Sequence, residues 1–145
     1  MSSWSFIACP LLLLSSCQAP SSVDSNVSSV KLRNKPWVLQ QMDGEPVTTA
    51  VHGAPYLMLR ADELKAEGHG GCNRFGGPFT LPGPGQLRLG PLLSTGMGCD
   101  ALMEETTFFN ALENTRTYRI GGDTLYLFTE QQNKPSVVLY AVATR

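Results

Sequence analysis

The sequence predicts a mainly β (α+β) fold, a small antiparallel, barrel-like curved sheet with one helix packed on it. Short segments of alternating or β-branched residues recur after residue 35, and Gly- and Pro-rich turns separate them. This pattern is typical of small barrels and strongly coiled sheets. One segment, residues 100–114, contains neither Gly nor Pro and is predicted to be the helix. Apolar residues make up 42% of the chain, which is enough for the core of one domain.

The strands follow one another in short steps along the chain. The first is predicted at 37–40 and is followed by the turn pair Asp43-Gly44. The next strands are predicted at 56–59, 64–67, 79–81, 86–89, 117–120, 125–128 and 137–142. Gly121-Gly122-Asp123 separates two of them and predicts a hairpin.

The predicted helix at 100–114 has its apolar residues at helical spacing. They fall on one side: Leu102, Phe108, Phe109 and Leu112. Asp100 is the expected N-cap, and Glu104 and Glu105 would favour the first turns through the helix dipole. We therefore expect the helix to lie with its apolar side on the sheet.

The N-terminus reads as an export signal. The apolar run at 4–14 is too short to span a bilayer, which takes about 20 residues, but it suits the hydrophobic part of a signal peptide. Leu14-Ser15-Ser16-Cys17 resembles the lipobox of bacterial lipoproteins, in which the Cys is acylated and becomes the new N-terminus. An ordinary secretory signal is the alternative. We predict a lipoprotein signal peptide at 1–16 and lipidation, including palmitate, at Cys17.

Gln18 follows the Cys where an Asp would favour inner-membrane retention, so we expect an outer-membrane lipoprotein that faces the periplasm. Residues 17–34 are predicted to be the lipidated Cys and a Ser-rich flexible tether, because the segment lacks the apolar residues needed to order itself. The folded domain is expected at 35–145. A net charge of −1 and a pI near 6.1 give no electrostatic reason to expect nucleic-acid binding. The chain also lacks a polybasic cluster, so the lipid must supply membrane attachment.

The stretch GHGGCNRFGG, residues 68–77, raises the question of chemistry. Phosphate binding fails on spacing, because GxxxxGK[ST] is absent and the dinucleotide pattern GxGxxG meets Asn73 where its last Gly belongs. A nucleophilic cysteine would need a base oriented by an acid, and the chain offers only His52 and His69. We therefore expect no catalytic residues and predict that the protein is not an enzyme.

Two interpretations of the cysteines in and after this stretch remain. Cys72 and Cys99 can form a disulfide that ties a sharp bend to the start of the helix, as an oxidising envelope favours. Alternatively, they can join His69 and Met97 in a site for a soft metal ion such as copper or zinc. A structural zinc site would more often show two paired Cys or His clusters. We predict the disulfide, with no metal and no cofactor.

Between the cysteines, Asn73, Arg74 and Phe75 are the side chains most closely specified, and we predict them as a candidate binding surface. Arg74 would either cap strand-end carbonyls or present its charge to a partner. The first of these roles is the expected one.

The residues resemble the META domain family. The resemblance is carried by these segments: Pro36-Trp37-Val38-Leu39, Gly71-Cys72-Asn73-Arg74-Phe75-Gly76-Gly77, Ser94-Thr95-Gly96-Met97-Gly98-Cys99, Met103-Glu104 and Leu125-Tyr126-Leu127. It covers about Lys35 to Ala143, and Gly98 stands where members commonly have Ala. HslJ-like heat-shock lipoproteins belong to this family. The resemblance implies a small β-rich, barrel-like fold with a helix, attached to the envelope and linked to stress responses, but it implies no reaction.

We therefore expect a non-enzymatic outer-membrane lipoprotein with a META domain. Its role would be envelope stress response or maintenance through binding of an unidentified envelope protein or small-molecule ligand. The alternative is a periplasmic soft-metal (copper or zinc) binding protein that uses Cys72, Cys99, His69 and Met97.

Overall fold

The computed structural model describes Met1 and residues 31–48, 53–100, 102–130 and 133–142. The rest of the predicted signal peptide at 1–16, the predicted lipidation site Cys17 and most of the predicted tether at 17–34 lie outside the described residues. His52 lies outside them as well.

The elements are short and follow closely on one another. In chain order they are β1 (Trp37–Met42), β2 (Glu45–Pro46), β3 (Tyr56–Arg60), β4 (Lys65–His69), β5 (Arg74–Thr80), β6 (Arg88–Leu89), β7 (Leu93–Ser94), α1 (Leu102–Glu113), β8 (Thr117–Gly121), β9 (Thr124–Phe128) and β10 (Val137–Ala141). The predicted helix at 100–114 is confirmed as α1. The hairpin predicted around Gly121-Gly122-Asp123 is confirmed as β8–β9, in which Gly121 pairs with Thr124.

The strands form one antiparallel sheet in the order β6-β5-β4-β3-β1-β10-β9-β8. β2 pairs with β1, and β7 pairs with β5 beside β6. The two ends of the sheet approach each other. Gln86 forms an isolated antiparallel bridge with Thr117, and the Tyr118 N–H donates to the Gly85 carbonyl at 2.8 Å. The predicted fold class is therefore confirmed as a nearly closed, barrel-like sheet with a helix.

The core occupies the inside of the curved sheet. Alternate residues of each long strand point inwards, as the period of two in a β-strand requires, and α1 adds the side chains of Phe108 and Leu112. The large buried side chains are Leu32, Trp37, Leu39, Leu57, Leu59, Phe75, Phe79, Leu87, Phe108, Leu112, Leu125, Leu127 and Leu139. Each such apolar side chain contributes about 1.5–3 kcal/mol to folding through its removal from water.

The packed part of the chain begins earlier than the predicted start at Lys35. Leu32, which the prediction placed in the tether, is fully buried in the core. Its carbonyl accepts a hydrogen bond from the indole Nε1 of Trp37 at 2.8 Å. The Asn34 N–H also donates to the Leu59 carbonyl at 2.8 Å. The tether prediction was therefore wrong at residues 32–34, because the Leu32 side chain joins the core and backbone groups there bond to Trp37 of β1 and Leu59 of β3.

Candidate functional site

The glycine stretch at 68–77 contains the end of β4, a turn at residues 70–73 and the first half of β5. Across this turn, the Gly70 N–H donates to the Asn73 carbonyl at 2.8 Å. Gly71 has a φ of 110°, in the left-handed region where side chains are disfavoured. Its N–H donates to Nδ1 of His69 at 3.1 Å. The imidazole is thus used, through that nitrogen, to shape the turn.

Glu105 of α1 holds this turn from the side. The residue is 2% exposed, and its Oε2 accepts hydrogen bonds from the backbone N–H groups of Cys72, at 3.0 Å, and of Asn73. Its Oε1 accepts from Nδ2 of Asn73 at 2.6 Å. A buried carboxylate is tolerated only when donors surround it, and three N–H groups do so here. Gly70 provides the space, because a Cβ on it would lie 2.6 Å from Cγ of Glu105.

Asn73 is the polar centre of the turn. Besides Glu105, its Nδ2 donates to the Met97 carbonyl at 3.0 Å. Its Oδ1 accepts from Oγ1 of Thr95 at 2.7 Å and from the Met97 N–H at 2.6 Å. The side chain therefore joins three parts of the chain: the turn, the segment after β7 and the helix. All of its donor and acceptor capacity serves the scaffold.

The disulfide between Cys72 and Cys99 is confirmed, with a Cα–Cα distance of 6.3 Å. It connects the same turn to the segment that precedes α1. The alternative soft-metal site required both sulfurs as thiolate ligands, and the bridge occupies them. Within the described parts of the chain, no group of three or more His, Cys, Asp and Glu side chains is arranged to hold a metal ion.

The predicted binding surface Asn73, Arg74 and Phe75 does not form one surface. Asn73 is 1% exposed and Phe75 is 5% exposed. The ring of Phe75 lies against Phe109 with centroids 5.0 Å apart and against Phe108 at 6.2 Å. The prediction was wrong for these two residues, because strand alternation turns Phe75 inwards and the helix takes up the amide of Asn73.

Arg74 alone of the three residues is exposed. The expected capping of strand-end carbonyls is not observed, since its guanidinium makes no such hydrogen bond to any described residue. Its side chain instead borders a surface groove of about 400 Å³ beside β5, which we call the Gly76 groove. The groove is lined by Tyr56, Lys65, Glu67, Gly68, Arg74, Phe75, Gly76, Leu93, Ser94 and Thr95.

A second cavity, of about 660 Å³, is lined by other residues: Gln41, Asp43, Gly44, Asn133, Lys134 and Pro135. It lies between the turn that follows β1 and the segment that precedes β10. None of the predicted site residues within the described ranges lines it. Of these two cavities, the Gly76 groove is the one lined by residues of the predicted site.

Glu105 was the important residue that the sequence interpretation missed, because it was assigned only to the helix dipole. A signal for it exists in the sequence. Glu105 stands three residues before Phe108 and seven before Leu112, so it belongs to the apolar side of the helix. A carboxylate on that side must be paired with buried donors.

None of the described helices is both long and apolar enough to cross a membrane.

Solved structures with similar folds are known. An NMR structure of a protein from Burkholderia xenovorans is 23% identical, with a TM-score of 0.63 over 94% of this chain and 100% of that one. Another NMR structure is 24% identical, with a TM-score of 0.60 over 77% of this chain and 92% of that one. A crystal structure of a DUF4847 family protein from Bacteroides vulgatus is 16% identical, with a TM-score of 0.52 over 76% of this chain and 93% of that one. At these identities the likeness shows the fold alone.

A comparison with curated proteins gives no significant match. A family model described as the META domain matches residues 30–141.

Proposed function

The chain belongs to the META domain family, and from that premise we propose that it is a non-enzymatic lipoprotein of the outer membrane. In this proposal a lipid on Cys17 anchors the chain, and the folded domain faces the periplasm. The domain binds an envelope protein or a small-molecule ligand and thereby serves envelope maintenance or the envelope stress response.

The disulfide is the observation that most directly supports a location in the envelope. Disulfides persist in oxidising compartments such as the periplasm and are rare in the reducing cytosol. The bridge between Cys72 and Cys99 therefore supports export. The sequence Leu14-Ser15-Ser16-Cys17 after a short apolar run supports lipid attachment in the same compartment.

The hydrogen bonds of the turn at residues 70–73 support binding in preference to catalysis. The His–Cys pair that could have formed a nucleophile and its base is used otherwise. Cys72 is bridged to Cys99, and Nδ1 of His69 accepts from the Gly71 N–H. The polar side-chain atoms of Asn73 and Glu105 already form hydrogen bonds with each other and with backbone groups. Beside this turn, Arg74 and Leu93 of the Gly76 groove are exposed, which suits contact with a ligand.

The anchor is tested by following the protein through export. Globomycin, which blocks lipoprotein signal peptidase, should cause the unprocessed precursor to accumulate. A Cys17→Ala variant should leave the membrane fraction, and a Cys9→Ala variant should remain in it as the matched control. Mass spectrometry of the wild-type protein should find acylation on Cys17. If the Cys17→Ala variant stays in the outer membrane, the lipid anchor is wrong.

The role in the envelope is tested in a strain that lacks the protein. Sensitivity to detergent and to heat should increase and should be restored by the wild-type gene but not by the Cys17→Ala variant. Equal restoration of resistance by the wild-type gene and by the Cys17→Ala variant would contradict a role that depends on membrane attachment.

A further inference from the structure

We propose that the Gly76 groove binds a small soluble anion that carries a carboxylate or phosphate group and a short apolar part. The proposal rests on the proposed function in one respect, since it names the class of ligand that the envelope domain binds. The side chains that would contact this ligand are Arg74, Leu93 and Tyr56.

The groove exists because residue 76 lacks a side chain. Gly76 in β5 lies directly opposite Glu67 in β4 on one side and Leu93 in β7 on the other. Neighbouring strands are about 4.8 Å apart, so the two flanking positions are separated by about 10 Å. Strand alternation places Arg74, two residues from Gly76, on the same outer face of the sheet. The strip between Glu67 and Leu93, which Cε of Lys65 borders, therefore has Arg74 at one end.

The fold does not require glycine at this position. The φ of Gly76 lies outside the left-handed region, and an added Cβ would meet only Cε of Lys65 at 3.5 Å and the Ala66 carbonyl oxygen at 3.6 Å. These are ordinary van der Waals distances. Gly70 differs, because a Cβ there would lie 2.6 Å from Glu105. Glycine weakens a strand, and where packing does not demand it, it often marks the close approach of a ligand.

The charges around the groove favour an anion. Glu67 supplies the carboxylate of the lining, and it is held by two cations, with Arg60 Nε at 3.5 Å and Lys65 Nζ at 3.9 Å. Arg74 has no acidic partner in the described ranges and is exposed. A planar guanidinium binds carboxylate and phosphate through two parallel hydrogen bonds. Tyr56 belongs to the same lining, and its hydroxyl group can add a further donor.

The wall opposite Glu67 supplies an apolar contact. Leu93 is 77% exposed, an unusually large exposure for a leucine in a strand. A ligand with a short alkyl or aromatic part would cover this side chain while its anionic group meets Arg74. The volume of about 400 Å³ lies in the range of small-molecule sites. A membrane surface is a poorer match, because the chain has a net charge of −1 and recognition of anionic lipid surfaces relies on clusters of cations.

The probes are hexyl phosphate, inorganic phosphate and hexanol, titrated into the full-length chain carrying Cys17→Ser. This change removes the predicted acylation site, so the result does not depend on the anchor. Amide chemical shifts in NMR spectra report both the affinity and the place of binding. We expect hexyl phosphate to give saturable shifts at Gly68, Arg74, Gly76 and Thr95. Inorganic phosphate should bind at the same residues more weakly, and hexanol should give no saturable shift.

Three variants separate the contributions to binding. Arg74→Gln should weaken hexyl phosphate binding by roughly tenfold or more, as expected when hydrogen bonds to a charged group are lost. Gly76→Val should fill the groove and abolish binding, while the amide spectrum of the core stays unchanged. Leu93→Ser should weaken hexyl phosphate binding and leave inorganic phosphate binding as it was. Arg88→Gln, at an exposed arginine of β6 outside the groove, is the matched control and should bind like wild type.

Several results would overturn the proposal. These are shifts that do not saturate, saturable shifts located away from the groove, and equal weakening by Arg74→Gln and Arg88→Gln. Sedimentation with phosphatidylglycerol vesicles that depends on Arg74 would assign the groove to a lipid surface and not to a soluble ligand. A failure in these titrations would leave the anchor test on Cys17 untouched, and a failed anchor test would leave the titrations interpretable.

Discussion

Glu105 and Asn73 are hydrogen-bonded through both their side chains and the backbone of the turn. Oε1 of Glu105 accepts from Nδ2 of Asn73 at 2.6 Å, while Oε2 accepts from the Asn73 N–H. The same Nδ2 also donates to the Met97 carbonyl, and Oδ1 of Asn73 accepts from the Thr95 hydroxyl. The helix, the turn at residues 70–73 and the segment after β7 therefore meet at one buried point. This arrangement also explains why Asn73, in the middle of the glycine stretch, is unavailable to a ligand.

Replacing Glu105 by alanine should be strongly destabilising. The Glu105→Ala variant leaves the N–H groups of Cys72 and Asn73 and the Nδ2 group of Asn73 without their acceptor in a buried place. Each unsatisfied buried donor costs about 1–3 kcal/mol. We expect the free energy of unfolding to fall by about 3–5 kcal/mol in urea titrations at neutral pH. The Glu104→Ala variant, at an exposed position of the same helical turn, should lose less than about 1 kcal/mol. Similar losses for the two variants would contradict the role assigned to Glu105.

Exchanging the donor and the acceptor should restore part of the stability that Asn73→Asp removes, although the hydrogen bond from Nδ2 of Asn73 to the Met97 carbonyl stays lost. Asn73→Asp places a second carboxylate beside Glu105 and should cost about 3 kcal/mol or more, because two buried like charges repel. In the Asn73→Asp/Glu105→Gln double variant, the new amide at 105 can donate to the new carboxylate at 73. Its oxygen can still accept from the backbone N–H groups. A double-mutant cycle should therefore give a favourable coupling above about 1 kcal/mol. Additive losses would show that the two side chains do not act on each other.

Much of the fold could be predicted because its signals are local. The β8–β9 hairpin follows from two β-rich segments on either side of Gly121-Gly122-Asp123, and α1 follows from a segment without Gly or Pro. The short strand β7 could not be predicted in this way. Leu93 and Ser94 are extended because Gly76 and Phe75 pair with them, and that partner lies far away in the sequence.

The site was harder to predict for the same physical reason. The cysteine pairing could be predicted from the compartment. The burial and hydrogen bonds of Asn73, however, depend on groups 22 to 32 residues away in the chain. Arg74 was predicted to cap strand-end carbonyls, because a sequence indicates mainly contacts between residues that are close along the chain. The groove beside it is formed by residues of four strands, β3, β4, β5 and β7, and by the absence of a side chain at Gly76. No local pattern contains that information.

Removing the disulfide should lower stability without abolishing the fold. Cys72 and Cys99 are 27 residues apart, and the entropy of closing such a loop corresponds to about 3.5 kcal/mol. We expect the Cys72→Ala/Cys99→Ala double variant to unfold at a correspondingly lower urea concentration. A reductant should lower the stability of the wild-type protein by a similar amount and leave the double variant unchanged. If the reductant also destabilises the double variant, its effect does not come from the Cys72–Cys99 disulfide.

Tyr118 should make stability depend on alkaline pH. Burial raises the pKa of Tyr118 above the ordinary value of 10.0, and the positive charge of Arg33 opposes this shift. Above pH 10 the unfolded chain therefore releases the phenol proton before the folded one does. The stability that Tyr118 contributes is present below this pH and is lost as the pH rises towards the folded-state pKa.

The Tyr118→Phe variant keeps the ring and should lose this part of the alkaline decline, as measured by urea unfolding between pH 9 and pH 11. Tyr140→Phe, at an exposed position, should decline like wild type. Arg33→Gln removes the opposing charge and should make the decline steeper. An unchanged slope in Tyr118→Phe would contradict a contribution from this phenol.

Alanine scanning of the glycines should separate those that the fold needs from the one that opens the groove. At Gly68 an added Cβ would collide with the backbone carbonyl oxygen of Tyr56 and lie 2.7 Å from Cζ of Phe75. Because a backbone atom of the paired strand cannot yield, Gly68→Ala should lose at least about 2 kcal/mol of unfolding free energy. Gly76→Ala meets only ordinary contacts and reduces the freedom of the unfolded chain, so it should be neutral or stabilising by about 0.5 kcal/mol. Urea unfolding of the two variants measures both changes in the free energy of unfolding. Destabilisation by Gly76→Ala as large as that by Gly68→Ala would mean that the strand itself requires this glycine, and the groove would then be a by-product of packing.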